Sequence, residues 1–152
     1  NMKPEDIDTY LKENEKYMTD SKKAFYYYFK NVLDEKNIKL KDVYSFAGLS
    51  ESYGSKLITM EKNTKNRDVI IRLCIAGHFN LKEINRALKL YGMSELYAKD
   101  SRDAVIIVAI NNRIYNMSDI DEMLLQRDLK NLLKIYKTIW KMHFPTVLVG
   151  IF

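Results

Sequence analysis

Apolar side chains recur along this chain at intervals of three and four. The pattern breaks at a few Gly, Asn and Ser positions, so the sequence reads as a series of short helices. Ile7, Tyr10, Leu11, Asn14, Tyr17 and Met18 keep that spacing and predict a first, partly exposed amphipathic helix, with Pro4 in its first turn and Glu5 and Asp6 favourable to the dipole there. Asp20 or Ser21 is placed to cap the next helix, which runs through AFYYYFKNVLDEK to near Asn37, with the aromatic cluster Phe25 to Phe29 as core. Two shorter segments follow, Leu40 to Ala47 and Ser50 to about Glu61, hinged at Gly48, with Ser50 as the cap of the second. After a loop rich in Asn and Lys, Asp68 opens a helix through VIIRLCIAGHF. Asn80 then caps another, LKEINRALKLYG, closed by Gly92.

Residues 67–97 and 102–133 read as two copies of one unit, separated in register by a single inserted residue. Arg67 and Asp68 match Arg102 and Asp103, Phe79 matches Tyr115, Asn80 matches Asn116, and Ile84 and Leu88 match Ile120 and Leu124. Each copy predicts a helical hairpin whose second helix is capped by Asn, and the two are expected to stack and share a core. The repeated Arg-Asp pairs are read as caps and ion pairs at equivalent helix starts. Beyond Leu133, KIYKTIWKMHF keeps a helical pattern, with Ile135, Tyr136, Ile139 and Trp140 on one side and Lys134, Lys137 and Lys141 elsewhere. The closing TVLVGIF is β-branched and uncharged, so it calls for cover, by the domain or by a second chain.

Composition fits this reading. Only 5 of 152 residues are Gly and 2 are Pro, against 47% hydrophobic and 30% charged, which points to an all-α chain able to bury its own core. The one cysteine, Cys74, lies in the apolar run VIIRLCIAG and reads as a small core hydrophobe in a reducing compartment. The acidic opening PEDIDTYLKENE is unlike a signal peptide, and FPTVLVGIF is far shorter than the roughly 20 residues a membrane span needs. A cytoplasmic protein is expected, and a membrane partner is not. Net charge is +5, and residues 21–79 hold eleven basic against six acidic side chains, so the positive excess lies around the Gly48 hinge.

Recognisable reaction chemistry is sparse. His78 and His143 lie in separate segments, no His, Cys or carboxylate cluster has metal-ligand spacing, and there is no glycine-rich phosphate loop or nucleophile elbow. Neighbouring acids such as Glu5 with Asp6 and Asp121 with Glu122 are read as solvent-facing. No enzyme activity, cofactor or metal is expected.

Gly48-Leu49, Tyr53-Gly54, Arg67-Asp68, Leu96-Tyr97 and Arg102-Asp103, in that order, carry a family resemblance. Over residues 26–133 the chain resembles the lambda-repressor-like, Xre-type helix-turn-helix regulators of Gram-positive bacteria. The resemblance implies a bundle of about five helices that binds double-stranded DNA, commonly as a homodimer, followed by helical hairpins open to protein partners. It makes Gly48 the turn glycine, Val43 and Leu49 buried packing positions, and Leu57 the apolar position late in the recognition helix. The residues facing DNA would be Ser50, Glu51, Ser52, Ser55, Lys56 and Thr59, with Lys56 the leading phosphate or guanine contact and Lys41, Lys62 and Lys65 holding phosphates. The sequence departs from the general pattern at Tyr44, where a small residue is usual, at Leu40 in place of Gln, and at Glu51.

The expected organisation is therefore an N-terminal helix over 1–20, a helix-turn-helix bundle over 21–97, a second hairpin over 98–133, and a basic helix with an apolar tail over 134–152. The expected function is sequence-specific DNA-binding transcriptional regulation. The alternative is a protein-interaction module on a helix-turn-helix scaffold that has lost strong DNA binding. A homodimer is expected from the apolar stripe at 132–152 and from the two-fold logic of half-sites.

Overall fold

The computed structural model describes residues 3–13 and 23–133, and within them every regular element is helical. A 3-10 turn, Pro4–Asp6, leads into α1, Ile7–Glu13, on which Ile7, Tyr10 and Leu11 are exposed. The remaining helices are α2 (Ala24–Lys36), α3 (Leu40–Ala47), α4 (Glu51–Ile58), α5 (Arg67–Ala76), α6 (Leu81–Leu90), α7 (Ser101–Asn111) and α8 (Met117–Leu125). Asn14, Tyr17, Met18, the caps proposed at Asp20 and Ser21, and the whole of 134–152 lie outside the described residues.

One core runs from α2 to α8. Phe25, Phe29, Leu33, Val43, Ile58, Ile70, Ile71, Phe79, Ile84, Leu88, Ile106, Ile120 and Leu124 belong to it without interruption at residue 97. The aromatic run on α2 divides as a helix requires: Phe25 and Phe29 are buried, with Phe29 5.0 Å from the Phe79 ring, while Tyr27 between them is exposed. Cys74 is fully buried, and burial pushes its thiol far above the ordinary range.

Helices α2, α3 and α5 to α8 end by one device. At Asn37, Gly48, His78, Gly92, Arg113 and Asp128 the backbone turns left-handed, and the next N–H donates to the carbonyl five residues back, as from Leu49 to Tyr44 and from Phe79 to Cys74, each at 3.0 Å. The starts of α5 to α8 are capped by side chains, while those of α2 and α3, at Lys23 and Lys39, are not. Asn66 accepts from Asp68 N–H, Asp100 from Asp103 N–H, and Asn116 from Ser118 N–H, while Asn80 and Glu83 form a reciprocal capping box. The caps of α5 and α7 are thus Asn66 and Asp100, and the aspartates of the two Arg-Asp pairs are free for other work.

That work is done crosswise. Arg67 pairs with Asp103, and Arg102 pairs with Asp68 through two bonds of 2.7 and 2.8 Å, so each hairpin supplies the cation for the other's carboxylate. The helices follow the same rule, since α5 packs on α8 and α6 packs on α7. Reciprocal contacts of this kind belong to a two-fold relationship, where a simple stacked array would leave one partner of each kind unpaired.

The duplication reaches the loops. Arg67 donates to the carbonyls of Ser94 and Glu95, and Arg102 to those of Lys130 and Asn131, the positions equivalent to them. Asn85 accepts from Leu96 N–H at 2.9 Å, while its counterpart Asp121 accepts from Leu132 N–H at 2.6 Å and from Leu133 N–H at 3.3 Å. Asp121 is therefore not the solvent-facing acid its place beside Glu122 suggests. It is 0% exposed, because two backbone donors of the terminal loop need an acceptor inside the fold.

Candidate nucleic-acid interface

The amphipathic segments around Gly48 form the two short helices α3 and α4. Gly48, at φ +73°, reverses the chain where a side chain would be strained, and a Cβ there would also meet Leu133 at 3.1 Å. Ser50 has extended backbone and accepts from Tyr53 N–H at 3.1 Å, which satisfies one free donor of the first turn of α4. The helix ends at Ile58 rather than near Glu61, because Met60 turns left-handed and Lys62 N–H folds back onto the Lys56 carbonyl at 3.0 Å.

Hydrogen bonds from Arg72 and Tyr91 tie this pair of helices to the rest of the molecule, and a ring-on-glycine contact joins the two to each other. Arg72 on α5 is buried and donates Nε–H to the carbonyl of Ala47 at 2.9 Å, occupying an orphan acceptor at the end of α3. The Tyr91 hydroxyl, at the end of α6, donates to the carbonyl of Leu57 at 2.9 Å and so fixes the last turn of α4. Between the helices, the Tyr44 ring fills the space over Gly54, where a Cβ would lie 2.8 Å from Tyr44 Cε1. Val43 and Leu57 are 0% exposed, as packing positions should be, while Leu49 is half-buried.

The outward face of α4 is made of small polar residues. Ser52, Ser55, Lys56 and Thr59 fall at i, i+3, i+4 and i+7 and so share one stripe, with Ser50 and Glu51 at its N-terminal end. Ser50, Glu51, Ser52, Ser55 and Thr59 are exposed, as are Lys41 on α3 and Lys62 and Lys65 in the following loop. Lys56, the leading contact by sequence, is half-buried. Residues 39–65 hold five lysines and three carboxylates, Asp42, Glu51 and Glu61.

Hydrogen bonding sorts the hydroxyls. Ser50 Oγ is used as an acceptor by the cap, which leaves its O–H to donate outward. The Thr59 hydroxyl donates to the Ser55 carbonyl at 2.9 Å, so in this rotamer it has no proton to offer a phosphate. Ser55 bonds the Tyr44 phenol, whose burial, opposed by that bond, pushes its pKa up. Glu51 in the first turn suits the helix dipole, which gives that carboxylate a structural reason to be there.

Sequence reasoning missed the two exposed aromatics beside this face. Phe46, in the last turn of α3, is 68% exposed and Tyr53 on α4 is 39% exposed. Helical spacing gave no warning of Phe46, which stands three residues after buried Val43, whereas Tyr53 follows the exposed cap Ser50 by three. Away from this face, His78 stacks on Tyr115 at 4.3 Å, joining the loops of the two hairpins. Among the described residues no group of His, Cys, Asp or Glu is arranged to hold a metal ion, and no helix is long and apolar enough to cross a membrane.

No known protein family, curated protein or solved structure matches this chain.

Proposed function

We propose that the chain is a sequence-specific DNA-binding transcriptional regulator, in which α3 and α4 are the bracing and recognition helices of a lambda-repressor-like helix-turn-helix. The observation that carries the reading is the turn itself. A left-handed glycine closes α3, a serine caps α4 two residues later, and a stripe of short hydroxyls and one lysine is left facing outward. Ser50, Ser52 and Lys56 offer donors to base edges or phosphates, while Lys41, Lys62 and Lys65 supply salt-sensitive phosphate contacts. Glu51, at the N-terminal end, is a candidate acceptor for a cytosine amine.

The test is selection of duplexes from a random pool, followed by fluorescence anisotropy on the enriched sequence at several salt concentrations. Affinity should fall by about 0.9 logarithmic units per phosphate contact for each decade of salt. Lys56→Glu should weaken binding at least tenfold. Failure to enrich any duplex would remove the DNA reading.

A second reading has its own support. Phe46 presents a large apolar surface beside α4, and its contribution to a protein contact would survive loss of DNA binding. In that case the helix-turn-helix is a scaffold and the partner is a protein. Phe46→Ser would then abolish a complex that Lys56→Glu leaves intact.

A further inference from the structure

The C-terminal ends of α2, α5 and α7 open onto one cleft. Each chain end turns left-handed there, at Asn37, His78 and Arg113, and the cleft of about 640 Å³ is lined by Lys36, Ile38, His78, Asn80, Arg113 and Tyr115. That volume is in the range of small-molecule sites. His78 and Arg113 hold the same place in the two hairpins, since the next N–H groups, of Phe79 and Ile114, close the two turns on the carbonyls of Cys74 and Ala109 at 3.0 and 2.9 Å. The duplication thus brings one basic residue from each hairpin to the same cleft, where the His78 ring lies on Tyr115 within 7° of parallel.

The lining is rich in unspent donors. Asn80 uses its amide oxygen to accept from Glu83 N–H at 2.8 Å and keeps its two amide N–H groups. Lys36 gives one ammonium proton to Glu83 at 3.0 Å and keeps two. The side chains of His78, Arg113 and Tyr115 have no hydrogen-bond partner among the described residues, and the guanidinium alone carries five N–H groups. No carboxylate is among the lining residues, and the Glu83 oxygen that meets Lys36 is also held by Asn80 N–H at 2.9 Å. A basic residue at a helix C-terminus suits the dipole, which accounts for each of these singly but not for their convergence on one cleft.

We propose that this cleft binds the phosphate group of a small molecule, with the Arg113 guanidinium as its main charge contact, Lys36 as the second, and Asn80 and His78 as further donors. A tetrahedral oxyanion accepts hydrogen bonds from several directions, which suits donors carried by three separate segments better than a planar carboxylate does. Ile38 and the Tyr115 ring supply apolar wall for the rest of the ligand. The cleft shares no residue with the stripe on α4, so the proposal stands whichever partner that stripe meets.

Inorganic phosphate is the probe, titrated into the full chain at constant pH and ionic strength, with the side-chain NMR signals of His78 and Arg113 as the readout. A His143→Gln variant tells the His78 ring from the other histidine. Both sets of signals should move along one saturating curve, and acetate at the same concentrations should move them severalfold less. Arg113→Gln breaks no side-chain hydrogen bond among the described residues, so its circular dichroism and melting temperature should match wild type. Its affinity for phosphate, followed at His78, should fall about tenfold or more. Shifts that do not saturate, acetate acting as strongly as phosphate, or unchanged affinity in Arg113→Gln would each overturn the proposal. A short DNA duplex that moves these signals where inorganic phosphate does not would assign the cleft to a nucleic-acid backbone and overturn it equally.

Discussion

The Tyr44 ring occupies the space that a side chain on Gly54 would need, with Cε1 2.8 Å from the position of the missing Cβ. The bulk that a small residue at 44 would avoid is accommodated by removing bulk from α4. Helix α4 keeps its close approach to α3 because the large and small partners have been exchanged across the contact.

Gly54→Ala should therefore destabilise the protein despite the better helix propensity of alanine, by about 1 to 3 kcal/mol for overpacking against a buried ring. Tyr44→Ala should cost about 3 kcal/mol or more through the cavity it leaves. The double variant should be more stable than the sum of the two losses predicts, with a coupling above ~1 kcal/mol in urea denaturation. Simple additivity would show that ring and glycine do not share the space.

The crossed pairs Arg67 with Asp103 and Arg102 with Asp68 are expected to matter more than surface ion pairs. Asp68 and Asp103 are buried, so removing a cation strands a carboxylate inside the fold. Arg102→Ala should cost about 3 kcal/mol by denaturant titration, including its bonds to the terminal loop. Lys30→Ala, which breaks an exposed pair within α2, should leave stability near wild type. Equal effects of the two substitutions would remove the crossed clamp from the account of stability.

Asp121 gives the fold a pH dependence of definite sign. Burial raises its carboxyl to about 6 from an ordinary value of 3.8, outweighing the two backbone donors and the nearby Arg102 and Arg72. A carboxyl raised in the folded state contributes most below pH 3.8, and that contribution is lost as pH rises through 6, by up to ~3 kcal/mol at 1.36 kcal/mol per unit. Asp121→Asn should flatten this part of the stability profile between pH 4 and 7. The substitution copies Asn85, which already serves the equivalent N–H in the first hairpin. A slope unchanged in the variant would place the titration elsewhere.

Tyr91→Phe removes the donor to the Leu57 carbonyl while keeping the ring packed edge-on to Phe25 at 4.8 Å. The loss should be about 1 kcal/mol, and amide exchange should rise chiefly in the last turn of α4 and the loop to Lys62. Protection unchanged there would mean that packing alone holds that end of the helix.

The sequence by itself determined the helices, the hinge and the duplication, because each rests on local chemistry. Apolar residues at three and four place the helices, Asn80 and Asn116 cap where a short amide reaches backbone donors, and Gly48 and Gly92 turn where a Cβ is costly. The same closure at His78, Arg113 and Asp128 falls on residues other than glycine, which the string marks less clearly because their left-handed backbone is uncommon rather than required. Pairing across the hairpins was equally hidden: Arg-Asp at two helix starts is the same string whether each aspartate caps its own helix or answers the other copy's arginine. Tertiary structure decided that question, buried Asp121, and gave Tyr44 its room over Gly54. These outcomes depend on which surfaces meet, and the free energy of burying a charge or a ring belongs to both surfaces at once.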